Sequence, residues 1–268
     1  LLPVSKDGGA SWQLSSEDLP KDMWVTRVQA SAHDEGTVYA SLNGYRWDDF
    51  TPYVYKSTDY GANWERIGAD LPLEPVNTVE EDPENPNLLY VGTDHGLYVS
   101  LNQGESFMLM NNGLPAVAVH DVVVHPRERD LIVGTHGRSI YIGNVKELQQ
   151  LTEELMAEPL HVFTPEPARH RSRWGEQRAS WAEIDEPEIL LPVYAKAPGT
   201  ATVRIQSGDL LLRRFETKLS RGLNYFSYDF SIDEKISTEY EKLLNKDKKE
   251  DEKPARVKPA DNGKTYLQ

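Results

Sequence analysis

Ser57-Thr58-Asp59-Tyr60-Gly61-Ala62-Asn63-Trp64 is one of three copies of a single eight-residue turn. The others are Ser5-Lys6-Asp7-Gly8-Gly9-Ala10-Ser11-Trp12 and Ser100-Leu101-Asn102-Gln103-Gly104-Glu105-Ser106-Phe107. Their shared frame is Ser, any residue, Asp or Asn, any residue, Gly, any residue, a small polar residue and a large aromatic. Each position has a physical reason. The Asp or Asn oxygen accepts hydrogen bonds from N–H groups of its own turn. Gly9, Gly61 and Gly104 supply the positive φ that closes a hairpin. Trp12, Trp64 and Phe107 begin the outgoing strand and anchor it in apolar contact.

Working outward, the turns repeat at roughly 40 to 50 residues, the length of one four-stranded propeller blade. Flanking segments repeat too: Leu88–Thr93 matches Leu131–Thr135 and, more loosely, Thr37–Leu42. Val25–Ala30, Val76–Glu80 and Val119–Val124 read as the inner strands. The expectation is the end of one blade over 4–14, full blades over 25–67 and 76–110, and a partial blade over 119–142. This is an all-β architecture, an incomplete propeller within 1–143, taken as the C-terminal part of a larger one. Its upstream blades are expected in the same or another chain. Asn144 and Glu147 predict a helix cap, and Val145, Leu148, Leu151 and Leu155 a helical stripe, giving one short helix over 144–156. Residues 157–186, rich in Pro, Arg and Trp, read as a linker. Four strand-length runs between Glu188 and Phe230 then predict an Ig-like or fibronectin-like β-sandwich over 187–268. It looks cut short, since such a sandwich usually has about seven strands. Within it, 231–259 reads as a charged insertion, a helix over 232–245 and then a mobile loop.

The composition excludes several functions. A net charge of −14 over 268 residues argues against a nucleic-acid surface. Without Cys there is no disulfide, thiolate nucleophile or Cys-ligated metal. No apolar run is long enough to cross a bilayer as a helix, and no membrane insertion is expected.

The three turns resemble the Asp-box (BNR repeat) of sialidase-type and sortilin-type β-propellers. The string Gly134-Thr135-His136-Gly137-Arg138-Ser139-Ile140-Tyr141, with His120, Asp121 and His125-Pro126-Arg127 before it, is similar to the last blade of large exported bacterial proteins. Those carry a sortilin-like propeller followed by an Ig-like domain and are often labelled glycosyl hydrolases, a label resting on shared fold. Asn102 and Asn63 depart from the commonest box residues, yet an Asn amide oxygen can cap the same turn. The resemblance implies an exported protein of the periplasm, outer-membrane surface or extracellular space.

In such a propeller the boxes lie on the face opposite the ligand. Asp7, Asp59 and Asn102 are therefore expected to be structural, together with their Gly and aromatic partners. The longest connection on the opposite face, 43–52, carries Tyr45, Arg46, Trp47, Asp48, Asp49 and Phe50, an aromatic platform beside carboxylates and a bidentate donor. Its bland alternative has Trp47 and Phe50 folded back on the blade. Asp94, His95, His136 and Arg138 follow on that face. Thr26, Asn77 and His120 align with one another on the inner strands, as do Arg27, Thr78 and Asp121. Binding candidates are thus Tyr45, Arg46, Trp47, Asp49, His95, His136 and Arg138. Asp48, Asp49, Asp94 and Asp121 are the candidate catalytic carboxylates, although no spacing selects a pair from them. His120, Asp121 and His125 do not make a metal site if adjacent strand residues face opposite ways, and no cofactor is expected. The expected function is non-catalytic binding of a protein, peptide or glycan. The alternatives are a glycoside hydrolase and a structural subunit of a cell-envelope assembly.

Overall fold

The computed structural model describes residues 2–15, 17–249 and 252–268. Leu1, Ser16 and, inside the expected charged insertion, Glu250 and Asp251 lie outside the described residues. The fold is mostly β and divides into two compact units, Leu1–Leu151 and Thr152–Gln268.

The first unit is a β-propeller-like succession of sheets. Strands β1 (Pro3–Val4) and β2 (Gln13–Leu14) form a hairpin. β3 (Trp24–Ala30), β4 (Val38–Gly44), β5 (Asp49–Ser57) and β6 (Glu65–Ile67) make a four-stranded meander. β7 (Val76–Glu81), β8 (Leu89–Thr93), β9 (Leu97–Ser100) and β10 (Met108–Met110) make the next. β11 (Val119–Val124), β12 (Asp130–Thr135) and β13 (Ile140–Asn144) form a three-stranded sheet. The strands fall where the repeat alignment expects them.

Each repeated turn joins a sheet's third strand to its fourth, or in the first copy β1 to β2, and all three use one set of bonds. The Asp7 Oδ1 accepts from Ser11 N at 2.8 Å, and Asp59 Oδ1 from Asn63 N at 2.9 Å. Asn102 Oδ1 accepts from Ser106 N at 3.0 Å. The leading Ser hydroxyl accepts from the Gly N–H in every copy, at 2.7, 2.9 and 2.8 Å. The residue before each Gly, respectively Gly8, Tyr60 and Gln103, also has positive φ. Two left-handed residues in succession give the tight reversal that follows the strand twist.

Two of the aromatics do more than start a strand: Trp64 and Phe107 grip the preceding sheet, while Trp12 is 63% exposed. Trp64 Nε1 donates to Ser15 O just past β2 at 2.6 Å. Phe107 packs in the core of the sheet before it, and its N–H donates to Asp70 Oδ2 at 2.8 Å. Gly68 N, just past β6, donates to Gly104 O at 3.2 Å. Between the two meanders, Tyr39 and Val54 bury against Val76, Val79, Leu89 and Val91. Between the second meander and the three-stranded sheet, Leu88, Tyr90, Leu97 and Val99 meet Val119, Val122, Val124, Leu131 and Val133.

The expected helix over 144–156 is two short ones, α1 (Lys146–Gln149) and α2 (Glu153–Ala157). Thr152 separates them: its backbone is extended and its hydroxyl accepts from Leu155 N, so a new helix starts there. The expected cap is displaced as well, because Val145 takes the N-cap position and Asn144 Oδ1 accepts from Lys146 N instead. α1 belongs to the first unit, where Gln149 Nε2 donates to both oxygens of buried Asp82.

In the second unit β14 (Leu160–Val162) pairs with β15 (Ile189–Ala195), so the segment read as a linker supplies an edge strand. The other segments are β16 (Gly199–Ser207), β17 (Leu210–Leu219), β18 (Gly222–Tyr228), β19 (Ser231–Ile232), α3 (Ser237–Asn245) and β20 (Thr265–Tyr266). Their sheets are β14-β15-β18, β16-β17 and β19-β20. Val193, Ala195 and Leu219 bury between the first two, with Ala201 and Phe226 against them. Part of the stretch expected to be a mobile loop is fastened to α3: Asn245 exchanges two hydrogen bonds with Ala255, Val257 N donates to Glu241 Oε2, and Val257 is buried.

Candidate functional site

All three inner strands break register at the same place. The ladder slips between Val25 and Arg27, between Val76 and Thr78, and between Val119 and Asp121. The extra residues are Thr26, Asn77 and His120. A bulge leaves one residue out of the ladder and re-aims its side chain, and here it does so three times in alignment. Thr26, Asn77 and His120 all line one cavity of about 240 Å³ with Trp24, Asn43, Tyr45 and Arg46.

The neighbouring set, Arg27, Thr78 and Asp121, also converges. Arg27 Nε donates to Thr78 Oγ1 at 3.1 Å, and its Nη2 pairs with Asp121 Oδ1. One guanidinium therefore joins three sheets. The two sets stay distinct: the bulged residues line the cavity, and Arg27, Thr78 and Asp121 pair with one another.

The cavity wall is built from ring faces and amides. The Arg46 guanidinium lies 3.8 Å from the centroid of the Trp24 ring. Asn43 Nδ2 donates to Asn77 Oδ1 at 3.0 Å, and Asn77 Nδ2 donates to Asp94 Oδ1 at 2.9 Å. Tyr45 N donates to Asn43 Oδ1, which fixes the amide's orientation. The His120 ring is 5.4 Å from that of His136.

The segment 43–52 is less a loop than a hairpin tip. β4 runs to Gly44, a 3₁₀ turn covers Tyr45–Trp47, Asp48 takes a positive φ, and β5 begins at Asp49. Tyr45 and Arg46 reach the cavity, whereas Trp47 and Phe50 stay about half exposed and do not line it. Asp49 is turned into its own strand, accepting from Thr51 N at 2.9 Å and from Tyr53 OH at 2.8 Å. The hydrogen bonds from Thr51 and then Tyr53 hold its carboxyl below the usual range.

The remaining candidates separate. Asp94 joins the site through Asn77, Asp121 through Arg27, and His136 through His120. His95 faces Glu74 at 3.5 Å, and Arg138 is exposed and does not line the cavity. Asp7 and Asp59 sit in their turns, held down to about 2 by the Ser11 and Asn63 side chains and N–H groups respectively. Among the described residues no group of three His, Cys, Asp or Glu gathers as a metal site.

Sequence reasoning passed over Trp24, Asn43 and Glu80. Trp24 and Asn43 are directly paired in the ladder, which an alignment of β3 with β4 could have placed. Glu80 is the residue after buried Val79 on β7; burial pushes its carboxyl up to about 7, against the pull of Arg27 and with Asp82 and Glu81 adding to the rise.

No protein-family model matches the chain, and no curated protein matches it. Among solved structures it is similar to a GH74 enzyme of Niastella koreensis, at 19% identity and a TM-score of 0.39, over 45% of this chain and 21% of that one. It is also similar to the GH74 xyloglucanase of Xanthomonas campestris, at 17% identity and 0.43, over 54% and 24%. An ancestral GH74 enzyme aligns at 27% identity and 0.36, over 42% and 14%. The chain thus spans a quarter or less of the length of each.

Proposed function

We propose that the first unit is a set of Asp-box β-propeller blades whose bulged inner strands bind an oligosaccharide. The observation that carries this is the threefold bulge, which turns Thr26, Asn77 and His120 into one cavity beside Trp24 and Tyr45. Exposed indole and phenol faces suit the C–H faces of sugar rings, and amides such as Asn43 and Asn77 suit hydroxyls. None of Asp48, Asp49, Asp94 and Asp121 lines the cavity, so binding without bond cleavage is the preferred reading. The family resemblance extends it to an exported bacterial protein with an Ig-like second unit.

The test is calorimetric titration with a panel of β-glucan, xyloglucan and xylan oligosaccharides, repeated with Trp24→Ala and Asn77→Ala. The expected result is one class bound, with about tenfold weaker affinity in each variant. No binding across the panel sinks the reading.

A glycoside hydrolase is the second reading, favoured by one contrast. Burial pushes Glu80 up to about 7 while Asp121 is ion-paired with Arg27, and carboxyls in such unlike surroundings are what acid and base roles require. Hydrolysis of any panel member, abolished by both Glu80→Gln and Asp121→Asn, would promote it over binding alone.

A further inference from the structure

We propose that the second unit carries a separate site for an acidic oligosaccharide on the segment 169–181. Arg169, Arg171, Arg173 and Arg178 are all exposed there. Among the described residues none of these guanidiniums has a hydrogen bond or ion pair, and the one carboxylate among them is Glu176. Elsewhere among the described residues Arg27, Arg127 and Arg213 are paired with carboxylates while exposed Arg138, Arg204, Arg214 and Arg221 are not, so what sets 169–178 apart is the closeness of its four arginines in sequence. In a chain of net charge −14 with 43 acidic residues, four arginines this close in sequence leave a local excess of positive charge even with Glu176 among them and Asp261 bonded to Gln177 N.

The segment is held in place although it has no regular structure. Trp174 is buried, stacked on Phe230 at 5.0 Å and edge-on to Tyr266 at 6.3 Å. Gly175 has positive φ, and a Cβ there would come within 2.6 Å of both Tyr266 and Ala260, so only Gly fits. Its N–H donates to Asp185 O at 2.8 Å, and Gln177 N donates to Asp261 Oδ2 at 2.9 Å. The ordering entropy of the turn is thus already spent before any ligand arrives, which favours binding.

Planar guanidiniums match carboxylates in bidentate geometry. Trp181, 88% exposed and three residues beyond Arg178, offers an indole face for a sugar ring. The chain's overall negative charge repels a long polyanion such as nucleic acid, and exposed Trp181 beside the arginines suits a short, locally anionic glycan.

The experiment titrates the full chain with a galacturonic-acid oligosaccharide, the matching neutral galactose oligosaccharide and single-stranded oligodeoxythymidylate, at low and at physiological salt. The expected result is binding of the uronate alone, weakened by salt. It should fall about tenfold or more in Arg169→Gln/Arg171→Gln/Arg173→Gln and in Trp181→Ala, with Arg221→Gln, exposed elsewhere in the second unit, unchanged. The Arg221 control separates loss of a placed guanidinium from loss of net positive charge. Should the triple variant lose its near-ultraviolet signal from Trp174, the wild-type preference for uronate over neutral sugar still decides. No uronate binding, equal binding of the neutral sugar, tighter binding of the oligonucleotide, or affinity untouched in both folded variants each overturns the proposal.

Discussion

The β7–β10 sheet and the β11–β13 sheet are copies of one pattern placed in different surroundings. In the first, Tyr90, Leu97 and Val99 are at most 3% exposed, covered by the sheet that follows. Their counterparts by register in the second are Ile132, Ile140 and Ile142. Ile140 and Ile142 are 64% and 67% exposed, and Val123, across from Ile132, is 45% exposed. The strand pattern is the same and the burial is opposite. The pattern of a repeat therefore sets pairing and pleat, while its neighbours set how much each side chain contributes.

The largest effect should come from the covered sheet. Tyr90→Ala removes a fully buried ring and its bond to Asp82, and should cost about 3 to 5 kcal/mol in urea unfolding. A loss under about 1 kcal/mol would mean that this core can collapse around the gap.

Glu80 sharpens the comparison through pH. Its carboxyl sits near 4.5 in an unfolded chain and about 7 here. The folded state holds that proton more tightly, so the stability it contributes is fully present below pH 4.5 and is lost as pH rises through 7. Glu80→Gln removes the loss and should be more stable than the native chain at pH 8 by up to about 3 kcal/mol, with little difference at pH 4. A pH-independent difference would place Glu80 in water.

A smaller effect is expected at the turns. Asn102→Ala removes an acceptor and a donor of the third turn and should cost about 1 kcal/mol. Asp59→Asn keeps the bond from Asn63 N but loses the acceptor for Asn63 Nδ2, and should lower the melting temperature at pH 7 by no more than Asn102→Ala does. The smallest belongs to the open face: Ile142→Ala should change stability by less than about 0.5 kcal/mol. A cost near that of Tyr90→Ala would erase the distinction between the two sheets.

The sequence was most legible where chemistry is local. A Ser, an Asp or Asn and a Gly at fixed offsets specify a turn through bonds within eight residues, and the strands followed from it. The grip of Trp64 on Ser15 was not legible, because its partner is 49 residues away. Nor were the bulges at Thr26, Asn77 and His120: a bulge breaks the period-two rule used to read a strand, and nothing local marks it. The Thr152 break in the helical stripe was missed because apolar spacing outweighed a β-branched cap residue. Of the proposed site, the sequence singles out Tyr45 and Arg46 and aligns Thr26, Asn77 and His120, with Asp94 and His136 one contact away, whereas Trp47, His95 and Arg138 do not line the cavity.

Arg27 has a consequence for how the first unit comes apart. Sheets stacked only by apolar contact can peel off one at a time, as in any linear array with nearest-neighbour coupling. A guanidinium on β3 that holds Thr78 on β7 and Asp121 on β11 ties the first sheet to its second neighbour as well as its first. Opening either end must then disturb the middle. Amide hydrogens of all three inner strands should exchange in one shared step, and Arg27→Ala should resolve that step into three.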